Sequence, residues 1–445
     1  MVVAAKSRNA PRLRRALSPD ARTRIAWGGG SAALTVVLVL LWSNLSSPAP
    51  PVSPTIPHTY AAGDSQFIRV MSSLLGPPMV GGNRVRTLLN GDQSFSAMLA
   101  AIRSARRSID FESYIYWSGR VGREFADALS ERARAGVPTH LLIDWAGSWV
   151  KADRAALDRM RSAGVEIVMY RPLRWYDLDR INNRTHRKLL IVDGRVGFTG
   201  GIGIADQWLG HAQDKDHWRD THFAVEGPVV SQLQAAFLDN WIEAEGHVLE
   251  GEAYFPPPAP AGNELAQAFR SSPGEGSASM RLMYLLAIAA AARSIRIANA
   301  YFVPDSQVVA MLVAARRRNV EVEIIVPGPV LDAQLVRRAS RAMWGPLLEA
   351  GVRIYEYQPT MFHVKSMVVD DAWVSVGSTN FDNRSFRLND EANLNVIDPA
   401  FAGEQLRVFD EDRGRSRQVT LEAWRHRPLS ERLRERWALI FRSQI

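Results

Sequence analysis

The sequence predicts an α/β body of two pseudo-repeated βαβ sandwich lobes, each a mixed, mostly parallel sheet flanked by helices, preceded by one N-terminal hydrophobic helix. Three observations predict it. The chain repeats itself over most of its length, short β-branched runs alternate with stretches of helical period in both copies, and a charge-free apolar stretch comes before them. Its 445 residues suit two or three domains, and 47% hydrophobic with 22% charged residues excludes a disordered chain, a collagen-like fibre and a polytopic membrane protein. No cysteine occurs, which excludes disulfide scaffolds, Cys-ligated zinc and thiol nucleophiles together.

Residues 1–24 form a basic tail. Seven basic residues there, from Lys6 to Arg24, face Asp20 alone, so the tail holds +6 of the net +8 and leaves only +2 for everything downstream. Residues 25–45 carry no charge and place Trp27 and Trp42 near their two ends. A helix between those tryptophans would span about 24 Å, close to the hydrocarbon thickness, with aromatics where an interfacial belt puts them. The segment reads as a membrane anchor; a cleaved signal peptide and a buried helix are the competing readings, and Gly28, Gly29 and Gly30 weaken the helix. Arginines before the span put the N-terminus in the cytoplasm and the body on the outer or periplasmic side of the cell membrane. Residues 46–60 are a proline-rich, extended spacer.

The body begins at residue 61. Arg107-Ser-Ile-Asp-Phe matches Arg293-Ser-Ile-Arg-Ile, VPTHLLI at 137–143 matches VEVEIIV at 320–326, and Ala163-Gly-Val-Glu-Ile recurs as Ala350-Gly-Val-Arg-Ile. Strands alternating with helices predict sheets covered on both faces, once in lobe 61–254 and once in lobe 263–445. Between them FPPPAPAG, residues 255–262, can continue neither a helix nor a central strand.

Each half carries His-x-Lys-x4-Asp: His186, Lys188 and Asp193 in HRKLLIVD, and His363, Lys365 and Asp370 in HVKSMVVD. The chain has 49 Arg and 5 Lys, yet two of those lysines sit here, where a compact ammonium and a guanidinium fork are not equivalent. On a strand, residues two apart share a face, so each His and Lys point together while Arg187 and Val364 point away. A cation beside each histidine disfavours a metal, and no cofactor is called for. Two ammonium groups and two imidazoles suit an anion attacked by nitrogen, that is, phosphoryl or phosphatidyl transfer through a phosphohistidine. One ring attacks and the other moves the proton, and each needs a carboxylate to fix its tautomer. Asp220 and Glu391 are the candidates, because DTHFAVEGP and EANLNVIDP align position for position. Asp193 and Asp370, also candidate catalytic residues, equally suit turns.

The paired motifs, with Gly200-Gly201 after the first and Gly377-Ser378-Thr-Asn380 after the second, resemble the phospholipase D superfamily. The segments GNRVRTLLNGDQSF at 82–95, Tyr114-Ile-Tyr, Trp218-Arg-Asp-Thr-His and RSFRLNDEANL at 384–394 look like its bacterial cardiolipin synthase branch. The resemblance implies that His186 and His363 are nucleophile and general acid/base, that Lys188 and Lys365 hold phosphate oxygens, and that Asp220 and Glu391 orient the rings. It also implies donors at Ser378 and Asn380. Gly203 stands where the family places a second asparagine, so the amide matching Asn380 is missing.

The insert 171–184 combines Arg171, Arg174, Arg180 and Arg184 with Trp175 and Tyr176. Of these, Arg171, Arg174, Trp175 and Arg184 are candidate headgroup contacts; the same composition suits single-stranded nucleic acid. Residues 429–441 read as an amphipathic terminal helix packed on the body. The expected partners are phospholipids (phosphatidylglycerol and cardiolipin) and a membrane, with no nucleic acid. The expected function is cardiolipin synthesis, against two rivals in the same superfamily, hydrolysis to phosphatidic acid and nuclease activity, and a third of a different class, a non-catalytic lipid-binding or membrane-scaffold protein, which the intact residues of both motifs argue against.

Overall fold

The computed structural model describes residues 56–173, 182–273, 279–442 and 444, together with a few positions in 20–39. Most of the expected anchor, 25–45, lies outside the described residues. Among those described, no helix is long and apolar enough to cross a membrane.

In the first half the strands are β1 (Val80–Leu89), β2 (Ile109–Ser113), β3 (Thr139–Asp144), β4 (Glu166–Tyr170), β5 (Arg184–Thr185), β6 (Lys188–Val192), β7 (Val196–Gly200) and β8 (Thr221–Glu226). The second half contributes β9 (Glu264–Ser271), β10 (Ser294–Asn299), β11 (Glu321–Pro327), β12 (Arg353–Tyr357), β13 (Lys365–Val369), β14 (Trp373–Gly377), β15 (Asn389–Ile397) and β16 (Ser416–Val419). Their hydrogen-bonded order is β16-β12-β11-β10-β13-β14-β15-β9-β1-β8-β7-β6-β2-β3-β4. Apart from β16, the order reads the same from either end once each strand is exchanged for its repeat partner, with the seam between β9 and β1. The repeat in sequence has become a pseudo-two-fold axis.

The α/β class stands, with a large mixed sheet flanked by helices, but the pairing balance differs from expectation. Parallel ladders are confined to β2-β3-β4, β10-β11-β12 and the short β5–β15 contact. The cause is local. Helices Arg120–Arg134 and Ser306–Arg317 supply the long crossovers that parallel neighbours need, whereas β6–β7 and β13–β14 are joined by three-residue loops that force antiparallel hairpins. Asp193 and Gly194 in one loop, and Asp370 and Asp371 in the other, hold φ between 55° and 61°. Aspartate and glycine tolerate that left-handed region better than other residues do.

Apolar side chains form an outer core in each half and a third core between them. The third core joins Leu189, Phe237 and Trp241 of the first half to Val374, Leu394 and Phe401 of the second. Helices Val230–Glu245 and Pro399–Gly414 enter this layer. Arg187, the residue between His186 and Lys188, is fully buried on this inner side. Its guanidinium donates to the Ala236 carbonyl at 2.6 Å, to Asp239 at 2.9 Å and to the Ser271 carbonyl at 3.2 Å. A buried charge this fully bonded ties the His186 segment to the helix and to β9, and removing its partners would strand it.

Candidate active site

Each histidine is placed by a short parallel contact with the other half. β5 pairs with β15, and the His186 amide donates to the Asp390 carbonyl at 2.8 Å. In mirror fashion Arg219 bridges Phe362, and the His363 amide donates to the Arg219 carbonyl at 2.8 Å. The residue after Asp390 is Glu391 and the residue after Arg219 is Asp220, so each contact brings a ring to a carboxylate of the opposite half. His186 Nδ1 lies 3.0 Å from Glu391 Oε1, and His363 Nδ1 lies 2.7 Å from Asp220 Oδ2.

The charges in this site are mutually adjusted. Burial pushes Glu391 up, but His186, Lys188 and the Ser378 hydroxyl outweigh it and hold the carboxyl at about 2. Burial likewise raises Asp220, and the His363 and Lys365 charges with the Trp208 N–H overcome it and hold it below the usual carboxylate range. Ionised carboxylates only accept, so each Nδ1 donates and each Nε2 keeps its lone pair. Burial drives His186 down to about 4, and burial with the Lys365 charge lowers His363 as well. Desolvation, followed by the Lys365 charge, lowers Lys188 to about 7; desolvation lowers Lys365 to about 8 despite Asp220 and Glu391. Each ammonium donates to the carbonyl of its own histidine at 2.7 Å.

His186, Lys188 and His363 open on one cavity of about 540 Å³, whose wall also includes Tyr114, Trp218 and Asn380. Lys365 sits behind His363, 3.2 Å from its Nε2. Two imidazoles and the Lys188 ammonium therefore face a space large enough for a phosphodiester and parts of its two alcohols, with the Lys365 charge behind His363.

Several expected site residues do different work. Asp193 and Asp370 are not in the cavity: they stand at the far ends of β6 and β13. Asp193 accepts from the amides of Arg106, Arg107 and Ser108 at 2.7–3.1 Å, and Asp370 from those of Ala292, Arg293 and Ser294 at 2.7–2.9 Å. Strand length is the reason, since seven residues of extended chain carry each Asp about 23 Å from its His. Ser378 does not line the cavity, because its hydroxyl is bonded to Glu391. Asn380 does line it. Arg171 is held internally, by Glu243 at 2.8 Å and beside Asp390 at 3.7 Å, while Arg184 lines the cavity wall. Arg174 and Trp175 lie outside the described residues.

The departure at Gly203 has a structural explanation. A Cβ there would stand 3.0 Å from Ile115 Cβ and 3.3 Å from the Trp208 ring, so that ring fills the space of the second asparagine. At Gly201, the counterpart of Ser378, a Cβ would meet Asp220 Oδ1 at 2.1 Å. Trp208 Nε1 instead donates to Asp220 at 2.9 Å, replacing the serine hydroxyl of the other half. Sequence reasoning missed Trp208, because it has no counterpart in the repeat. It also missed Tyr301, whose ring meets His363 edge-on at 6.3 Å, and Asp382, on the cavity wall, which burial pushes up to about 7. Tyr301 stands where the first half has Ile115, as the matched bridges Tyr116–Ile204 and Phe302–Phe381 show, and the match of Arg107 with Arg293, continued eight residues along both copies, carries the same pairing.

A family profile described as "Cardiolipin synthase, PLD-like domain" matches residues 98–241 and 284–413. The cardiolipin synthase of Geobacillus kaustophilus is 35% identical over 361 residues, covering 80% of this chain and 72% of that one. Cardiolipin synthase A of Pseudomonas putida is 35% identical over 367 residues, covering 82% and 74%. Among solved structures, phosphatidylserine synthase of Haemophilus influenzae superposes with a TM-score of 0.65 over 86% of this chain and 100% of that one, at 13% identity, a likeness of fold alone. Fold, site and relatives define a phosphatidyltransferase of the phospholipase D type. Within that class, the chain belongs to the bacterial cardiolipin synthase branch of the phospholipase D superfamily.

Proposed function

We propose that the protein makes cardiolipin at a membrane, moving the phosphatidyl group of phosphatidylglycerol to the hydroxyl of a second phospholipid through a phosphohistidine. In the first step the His186 Nε2 lone pair attacks phosphorus. The N–P bond forms as the P–O bond to glycerol breaks, and protonated His363 gives its Nε2 proton to the departing oxygen. In the second step neutral His363 takes the proton of the incoming hydroxyl, whose oxygen bonds phosphorus while the N–P bond breaks. Lys188 and Lys365 neutralise the non-bridging oxygens, and the bound anion in turn favours their protonated forms.

One observation carries this reading: carboxylates of opposite halves hold both rings at Nδ1, and both rings line one cavity. The pKa of about 4 at His186 leaves its lone pair free at neutral pH, as a nucleophile requires. The shorter carboxylate bond at His363 suits the ring that becomes an imidazolium. Ile115, Val150 and Val336 give the cavity an apolar wall that favours a lipid alcohol over water as acceptor. Residues 25–45 remain the proposed anchor, with the body outside the cytoplasm, and a topology reporter fused after Ile445 should read as non-cytoplasmic.

Mass spectrometry of quenched His363→Asn enzyme, given a donor whose leaving group needs no proton, should find a phosphatidyl adduct on His186. An adduct only on His363 in the His186→Ala enzyme would reverse the roles, and no adduct in any variant would end the mechanism. Expression in a cardiolipin-free bacterium should restore cardiolipin. If phosphatidic acid accumulates instead, the enzyme is a hydrolase.

A further inference from the structure

The C-terminal helix Leu429–Ala438 and the turn Leu439–Phe441 are packed on the body the opposite way from an ordinary terminal helix. The face turned inward is acidic. Glu435 and Ala438 are buried, Glu435 pairs with Arg341 at 3.0 Å and Arg427 at 2.7 Å, and Glu431 reaches Arg341 at 3.6 Å. The apolar stripe points out. Leu429 is 71% exposed, Leu433 67%, Trp437 54% and Ile440 70%, a spacing that keeps all four on one side of a helix. Arg432, Arg434 and Arg436 flank the stripe, exposed and with no carboxylate partner among the described residues.

A basic groove of about 330 Å³ adjoins it, between this helix and Gln334–Ala342. Arg337 and Arg417 there are committed to the buried Glu356, but Arg338 and Arg434 have no ion pair among the described residues. The same neighbouring helix supplies Val336 to the catalytic cavity, and the Arg442 carbonyl accepts from Asn383 beside the cavity-lining Asp382 and Arg384. The helix that walls the groove and the segment that follows the stripe therefore both reach the wall of the active site.

From this geometry we propose that the Leu429–Phe441 face, with its arginine groove, docks the body on an anionic phospholipid surface and holds the cavity mouth against it. The inference rests on phospholipid being the substrate. Apolar side chains rimmed by arginines match the acyl boundary and the phosphates of such a surface. A second copy of the chain fits poorly, because like faces would set arginines against arginines.

The absence of cysteine makes the test clean, since one cysteine at Leu433 carrying an environment-sensitive fluorophore reports on this face alone. Arg103, exposed near the end of the helix that leads into the far end of β2, is the control position. With the full chain in vesicles of phosphatidylglycerol and phosphatidylcholine, the label at Leu433→Cys should shift to the blue and be quenched by acyl-chain bromines. The label at Arg103→Cys should do neither, and phosphatidylcholine vesicles should give a weaker effect at 433. An aqueous reading at both positions, or equal effects on the two lipid mixtures, overturns the proposal. Self-quenching that grows with protein density would assign the face to a second copy and also overturn it. The double variant Leu433→Asp/Trp437→Asp should lose about tenfold in turnover of vesicle lipid and keep the parent's turnover of monomeric short-chain phosphatidylglycerol. Equal loss on both substrates overturns the docking role. A parent enzyme inactive on either substrate defeats the substrate reading instead, while the label still decides the docking face.

Discussion

Lys188 and Lys365 lose their protons near neutrality because burial removes their water, and Lys188 also feels the Lys365 charge. The consequence is a pH dependence of known sign. As pH rises, His363, held below the usual imidazole value, loses the proton that the proposed general acid must give, and through about 7 to 8 the empty site loses its cations; as pH falls through about 4 His186 gains a proton and loses the lone pair that the proposed nucleophile needs. The profile of kcat/KM should therefore be a bell with an acid limb near 4 and a basic limb that starts below the usual imidazole range and is complete by about 8, belonging to the coupled set rather than to single groups. Bound phosphodiester raises both lysines, so the basic limb of kcat should lie at higher pH than that of kcat/KM. A basic limb at the same pH in both profiles would show that the lysines do not bind the anion. Lys188→Arg and Lys365→Arg should each cost about 10²-fold in turnover with the fold intact, because a guanidinium cannot occupy a pocket shaped for an ammonium. Gly201→Ala should cost about 10²-fold as well, by displacing Asp220 from His363, the proposed general acid/base. Gly203→Asn should not improve the enzyme, since Ile115 and Trp208 already fill that space. Steady-state kinetics on the purified variants decides all four.

The hairpins β6–β7 and β13–β14 are where the third residue of each motif acts. Asp193 and Asp370 hold three backbone amides apiece at the start of the neighbouring strands β2 and β10. Asp193→Ala and Asp370→Ala should each lower stability by about 1–3 kcal/mol in urea denaturation. The turnover of the molecules that remain folded should be close to the parent's. A large fall in kcat with unchanged stability would return these aspartates to the chemistry. Trp208→Phe and Ser378→Ala make a matched pair at the same scale. Each removes the donor that steadies one carboxylate, so each should slow turnover without unfolding the chain, and double-mutant kinetics should reveal whether the two half-sites act as one unit.

Neither half of the molecule owns a complete site. His186 needs Glu391 and His363 needs Asp220, and the shared inner core seals the halves together. Residues 50–445 accordingly form one compact unit. Unfolding of this body should be a single transition by calorimetry and by tryptophan fluorescence, with no plateau from one surviving lobe. Residues 263–445 expressed alone should be inactive even where soluble. Two well-separated transitions would mean that the inner core is weaker than its burial implies.

The sequence by itself determined the repeat, the α/β class, both His-x-Lys pairs and the two carboxylates. Each is carried by local spacing, by period-two alternation or by self-alignment, which survive without knowledge of the third dimension. Tertiary structure alone decided that the carboxylates cross between halves, because the β5–β15 and Arg219–Phe362 contacts join residues more than 140 positions apart, and no spacing rule spans that distance. It alone decided that Ser378 bonds Glu391 rather than facing the cavity, and that Trp208 replaces both a serine and an asparagine of the other half. It also turned the C-terminal helix outward. Hydrophobic periodicity shows that a helix has an apolar face but not which way that face turns, and here the buried Glu435 and its arginine partners fixed the opposite face to the body.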